Sequence, residues 1–159
     1  MTTTPFQTPL QELEPGWFDY NGHLNMAYYN VLFDRAVDVF FDALDCGEAY
    51  RTAADCSFFT AEIHVSYVRE LREGARVRAD IRVVDVDEKR LHVFEELYHE
   101  DGWLAATSET LLLHVDMQGP KVAPMPEDLH ARMAALCRKH AHLPADPRIG
   151  RSIAIRRKG

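Results

Sequence analysis

The hydrophobic period of this chain changes from helical to two-residue after about residue 60, and that change constrains the fold more than any other feature. From about residue 25 to 44, apolar residues recur at helical spacing. Leu24, Tyr28, Val31, Leu32, Ala36, Val39, Phe40, Ala43 and Leu44 form one wide face. After residue 60 the period drops to two. Ile63, Val65 and Tyr67 alternate with Glu62, His64 and Ser66; Val77, Ala79, Ile81 and Val83 alternate with Arg76, Arg78, Asp80 and Arg82. Residues 90–100 and 103–117 are also strand-like. Turn signals separate these runs at Glu73-Gly74, Asp85–Glu88 and Asp101-Gly102, the last reading as a two-residue hairpin. A long helix followed by four antiparallel strands is an α+β arrangement in which one helix covers one sheet face.

The flanking segments complete the reading. Residues 6–14 form a short first strand, which Pro9 confines to an edge or an end, bringing the sheet to about five strands. Pro15-Gly16 ends it. Residues 48–55 make a short helical turn, and residues 127–141 a final helix stopped by Pro144 and Pro147. Asn30, Asp34, Asp38 and Asp42 recur every four residues opposite the apolar helix face and read as a solvated outer face. Like charges at this spacing weaken a helix, so packing on the sheet must hold it in place.

At 159 residues the chain is expected to be a single domain, residues 1–159, with a core at about 6–140. A net charge of −7 argues against general nucleic-acid binding. No apolar run approaches the ~20 residues that span a bilayer. The segment Met1–Phe6 has neither the basic nor the apolar region of a secretory signal, so a cytoplasmic location is expected. Cys46, Cys56 and Cys137 form no close pair, and the eight histidines form no HExxH, so no disulfide framework and no metal site are expected. The sequence also lacks GxSxG, GxGxxG and GxxxxGK[ST].

The chemistry gathers between Asp19 and Tyr29. Asp19, Asn21, His23 and Asn25 lie within seven residues, where a loop turns into the long helix. The free N–H groups of a helix start can receive an anion, which suits acyl transfer. The same residues also have plain structural uses. Asp-x-Asn-Gly is turn chemistry, Asn21 or Asn25 can cap the helix, Gly22 can permit the tight turn, and His23 can be a buried hydrogen-bonder.

This element order, together with Asp19-x-x-Gly22-His23-x-Asn25, resembles the hotdog-fold acyl-CoA thioesterases over roughly residues 6–140. The segment is similar to the 4-hydroxybenzoyl-CoA thioesterase type, which implies Asp19 as nucleophile or general base and the Met26 backbone N–H as oxyanion donor. It also resembles the plant acyl-carrier-protein thioesterases, whose pattern implies roles for Asp19, Asn21 and His23; those enzymes carry two repeats where this chain has one. The Gly-His-x-Asn…Tyr-Tyr segment is similar to that of betainyl-CoA thioesterases. The resemblance implies hydrolysis of a small or medium acyl-CoA, with no cofactor beyond the coenzyme A of the substrate. It also implies a homodimer or homotetramer whose sites lie between subunits, with Asp19 facing the partner's residues around 60–70.

Gly22, Asn25, Tyr28, His64, Tyr67 and Arg69 are candidate substrate contacts. His64 and Tyr67 point to opposite faces of one strand, so at most one can face the pocket. Arg69 either meets phosphate or is a surface residue at a strand end. The basic tail, residues 148–159 with Arg148, Arg151, Arg156, Arg157 and Lys158, is either solvated or a clamp for coenzyme A. Tyr28, Tyr29, Phe40, Phe58 and Phe59 are core, or line a pocket that can hold a cation such as trimethylammonium. Two other functions remain open on sequence: a hotdog dehydratase or hydratase using His23 with Asp19, and a non-catalytic acyl-CoA-binding protein.

Overall fold

The structure is a computed structural model and describes residues 3–158. Two short strands, β1 (Phe6–Gln7) and β2 (Gln11–Glu12), precede a 3-10 turn at Pro15–Trp17 and the long helix α1 (Met26–Ala43). A short helix α2 (Glu48–Ala54) leads into four long strands: β3 (Cys56–Tyr67), β4 (Arg76–Val86), β5 (Arg90–His99) and β6 (Leu104–Asp116). β7 (Lys121–Val122) and α3 (Glu127–His140) follow. The sheet is antiparallel with order β1-β4-β5-β6-β3; β2 also pairs with β4, and β7 with β6. This is the hotdog arrangement, α+β with a long helix packed on an antiparallel sheet.

The sheet has seven strands rather than five, for two local reasons. Pro9 has no N–H to give, so the first strand splits around it; the Thr8 hydroxyl accepts the Ala79 N–H at 2.9 Å across the break. β7 adds a two-residue pairing beyond the meander. The β5–β6 connection also differs from a two-residue hairpin. A turn closes from Gly102 N–H to His99 O at 2.8 Å, and Gly102 takes φ +89°, so residues 100–102 form a three-residue loop ending in the left-handed region.

Helix α1 buries Tyr29, Leu32, Phe33, Ala36, Val37, Phe40 and Phe41. The buried arc is rotated from the one read in the sequence: Phe33, Val37 and Phe41 are inside, whereas Val39 and Ala43 are exposed. Facing it, the sheet offers Val77, Ala79, Ile81, Val83, Leu91, Val93 and Leu97, all at most 2% exposed.

The outer sheet face is polar. Arg82 pairs with Glu96 at 3.2 Å and His92 with Glu109 at 2.8 Å. The C-terminal segment crosses this face: Pro144 O accepts from Arg82 at 2.6 Å, and the Gly150 N–H donates to Glu109 at 2.8 Å. The C-terminal segment therefore covers part of the second face.

The two sheet edges are unlike. The free side of β4 is covered by β1, β2 and then α3, whose His140 Nδ1 accepts the Val83 N–H at 2.9 Å where β4 bulges. The far side of β3 is open among the described residues. No helix among those residues is long and apolar enough to cross a membrane.

Candidate active site

Residues 18–24 form a small hairpin pinned under α1. Phe18 and Leu24 bridge its ends, and Leu24 N–H donates to Leu71 O at 3.0 Å. Trp17 and Leu24 are the buried anchors. Asp19 organises the turn with one carboxylate oxygen: Oδ1 accepts the N–H groups of Asn21 at 2.8 Å and His23 at 3.1 Å. Gly22 closes the turn onto Asp19 O at 3.0 Å with φ +76°, a conformation that L side chains rarely adopt. Nothing lies within 4 Å of where its Cβ would be, so backbone conformation rather than space calls for glycine there.

Asn25 is the N-cap of α1. Its Oδ1 accepts the Ala27 N–H at 3.0 Å, and its carbonyl accepts the Tyr28 N–H at 3.0 Å. The N–H of Met26, the first helical residue, has no acceptor among the described residues. The local sequence thus satisfies the second and third donors and leaves the first available at the positive end of an 18-residue helix. Replacing Asn25 by Ala is expected to cost about 1 kcal/mol. The corresponding drop in melting temperature, about 2–4 °C, is measurable by thermal denaturation.

Asp19, His23 and Met26 edge a cleft of about 1070 Å³, with Tyr67, Arg69 and Trp103 among its other walls. The Tyr67 hydroxyl donates to Met26 O at 3.0 Å, tying β3 to the helix start. Its ring meets Tyr29 edge-on at 5.0 Å, and Tyr29 Oη accepts the Leu71 N–H at 3.1 Å. Burial raises both phenols above their ordinary value, so both are neutral donors near pH 7.

His23 is half-buried rather than enclosed. Its Nε2 lies 3.0 Å from Glu70 Oε2 and 3.5 Å from Arg72 Nη2. Arg69 lies over the Trp103 ring at 4.1 Å, and Trp103 stacks on His99 at 4.4 Å.

The remaining sequence candidates are elsewhere. Tyr28 stacks on Trp17 at 5.3 Å, outside the cleft lining. His64 lies on the outer sheet face beside His92, Glu109 and Arg151, while Tyr67 faces the cleft. The first part of the basic tail packs on that outer face, with Arg151 donating to Ser66 Oγ at 3.1 Å. Among the described residues no cluster of His, Cys, Asp and Glu could hold a metal ion.

The structure also brings forward groups that the sequence reading did not single out. Glu70, Arg72 and Trp103 line the cleft. Glu95 is buried beneath α1. A signal for Glu95 was available: the alternation of Leu91, Val93 and Leu97 puts residue 95 on the inner face.

The thioesterase-like superfamily model matches residues 13–133. The chain belongs to the thioesterase-like superfamily. A betainyl-CoA thioesterase of Pseudomonas aeruginosa is 38% identical over 153 residues, covering 96% of this chain and 94% of the relative. An L-carnitine dehydrogenase/betainyl-CoA thioesterase of Ruegeria pomeroyi is 37% identical over 142 residues, 89% of this chain but 28% of that longer protein. Among solved structures, a Staphylococcus aureus protein in complex with CoA superposes with a TM-score of 0.89 at 28% identity, covering 98% of each chain. The chain is thus an enzyme of the thioesterase class, built on the hotdog fold.

Proposed function

We propose that the chain hydrolyses a small acyl-CoA, betainyl-CoA foremost, to the free acid and coenzyme A. The observation that carries this reading is the pairing on one cleft of an anchored carboxylate, Asp19, with an uncapped N–H at a helix start, Met26. In this mechanism the thioester oxygen accepts from the Met26 N–H, which stabilises the charge that develops there. Asp19 either attacks the carbonyl carbon, giving an anhydride that water then opens, or takes a proton from the attacking water. Both routes expel the thiolate of coenzyme A. Asn21 and His23 support Asp19 by donating backbone N–H groups to it. Arg69 and Arg72 on the cleft rim suit the phosphates of coenzyme A. The acyl preference follows the Pseudomonas aeruginosa relative, which matches this chain nearly end to end.

The test is release of free thiol from a panel of betainyl-, aromatic and medium-chain acyl-CoAs. Turnover of betainyl-CoA ahead of the others is expected. No thiol from any of them would remove the reading.

The working unit in this proposal is a homodimer formed through β3. That strand presents Phe59, Ile63 and Tyr67 at 43–46% exposure along an unpaired edge. Ile63 also lines the cavity beneath α1, so a second copy on this edge would close that cavity. Ile63→Lys is expected to give a monomer in sedimentation velocity and to lower turnover about tenfold or more, since an interface core tolerates no unpaired charge. A dimer that persists in this variant would place the interface elsewhere.

A further inference from the structure

The inner face of the sheet is mostly apolar, and Glu95 is the buried acid on it, with Ser108 and Thr110 nearby. Glu95 stands between Val93 and Leu97 in the stripe that packs beneath α1. It is 1% exposed, and its Oε2 has no hydrogen-bond partner among the described residues. It lines a cavity of about 680 Å³ between α1 and β3. Asn30, whose Oδ1 is likewise unpartnered, and Asp34 line the same space. Burial, and after it the charge of Asp34, holds the Glu95 carboxyl well above the usual carboxylate range.

The other charged groups on this cavity are Asp38 and Asp42 of α1 and Glu48 and Arg51 of α2; Arg51 is held by Asp55 at 2.7 Å. From β6, Ser108 pairs with Glu95 in register, and its hydroxyl lies 3.2 Å from that of Thr110. The acidic stripe on α1 is therefore not only a solvated face: it forms one wall of a cavity with a carboxylate at its floor.

We propose that Glu95, with Asp34 beside it, is the subsite for the positively charged end of the acyl group, a quaternary ammonium. This rests on the acyl-CoA reading above. A buried carboxylate with an unpartnered oxygen is costly, and a cation without donors of its own offsets that cost. The apolar part of the lining suits methyl groups: Phe41 and Phe58 stack at 4.7 Å on the same cavity.

The spacing also fits a short acyl chain. Leu97, Ala106 and Tyr67 form one cross-strand row, which Tyr67 ties to Met26. Glu95, Ser108 and Val65 form the next row on the same face. Two residues along a strand span about 7 Å. Asn30 lies one helical turn, about 6 Å, beyond Met26. A thioester carbonyl held at Met26 can thus extend a few atoms toward Glu95.

The test compares two non-hydrolysable thioethers of coenzyme A by calorimetry. One carries a 2-(trimethylammonio)ethyl group and the other its neutral isostere, 3,3-dimethylbutyl. The wild-type protein is expected to bind the cation about tenfold or more tightly, the scale of a desolvated charge pair. At pH values where Glu95 is still protonated in the free protein, binding of the cation should also release a proton, seen as a dependence of the heat on buffer; the isostere should release none. In Glu95→Gln the preference and the proton release should both collapse, and in Asp34→Asn the preference should shrink.

Equal affinity for the two ligands in the wild type, or a preference that survives in both variants, overturns the proposal. If Glu95→Gln fails to fold, Asp34→Asn and the wild-type proton release decide. Binding without preference sinks this subsite and leaves the acyl-CoA reading standing. Preference without thiol release from betainyl-CoA does the reverse. Binding of neither ligand overturns both.

Discussion

Asp19→Asn is expected to lower kcat for acyl-CoA hydrolysis by about 100- to 10,000-fold, the range for loss of a positioned acid or base. The substitution is clean for a structural reason. Asp19 orders its turn only through Oδ1, which accepts two backbone N–H groups. An amide oxygen can accept both, so Asn keeps the loop and the N-terminal start of α1 while removing the charge. KM should therefore change far less than kcat, the signature of an interaction made in the transition state. The melting temperature should stay at the wild-type value. Undiminished thiol release in this variant would remove Asp19 from the mechanism. Asp19→Ala would be a poorer test, because it frees the two N–H groups as well and disturbs the turn.

Glu95→Leu is expected to stabilise the ligand-free protein, and Glu95→Gln to change the pH dependence of its stability. The folded state raises this carboxyl well above its ordinary value of 4.5. Between that value and the raised one, the folded protein binds more protons than the unfolded chain. Stability therefore falls as pH rises through this window, by up to about 1.4 kcal/mol per pH unit from this one group. Urea denaturation at a series of pH values upward from 4.5 would show that slope in the wild type, and a shallower one in Glu95→Gln. Identical slopes would mean that water or rearrangement relieves the buried charge. A gain in stability in Glu95→Leu, coupled to loss of cation binding, is the trade expected of a residue kept for function.

Much of this architecture was legible because periodicity is a local signal. Helical spacing over about 25–44 predicts the long helix, which spans Met26–Ala43, and strand-like runs separated by turn signals predict the meander. The turn at Asp19, the cap at Asn25 and the glycine at position 22 follow from side-chain chemistry within a few residues, which sequence displays directly. What sequence did not display depended on register and packing. The position of the sheet against α1 rotates the buried arc of the helix, so that Phe33, Val37 and Phe41 are inside and Val39 is not. Glu70, Arg72 and Trp103 reach the cleft only because the segment after β3 and the β5–β6 hairpin fold over the helix start. Tyr28 follows the helical pattern, yet a flat stack on Trp17 holds it outside the cleft. Glu95 and Asp34 lie 61 positions apart in the chain, and only strand pairing sets them on one cavity.

The contrast between the two sheet edges limits how these molecules can polymerise. One edge is sealed within each copy by β1, β2 and α3. A sheet with a single open side among the described residues can gain one neighbour by strand addition, and two copies joined through β3, as proposed above, would consume each other's growing end. The product of that proposed pairing would be a closed two-fold pair rather than a fibre.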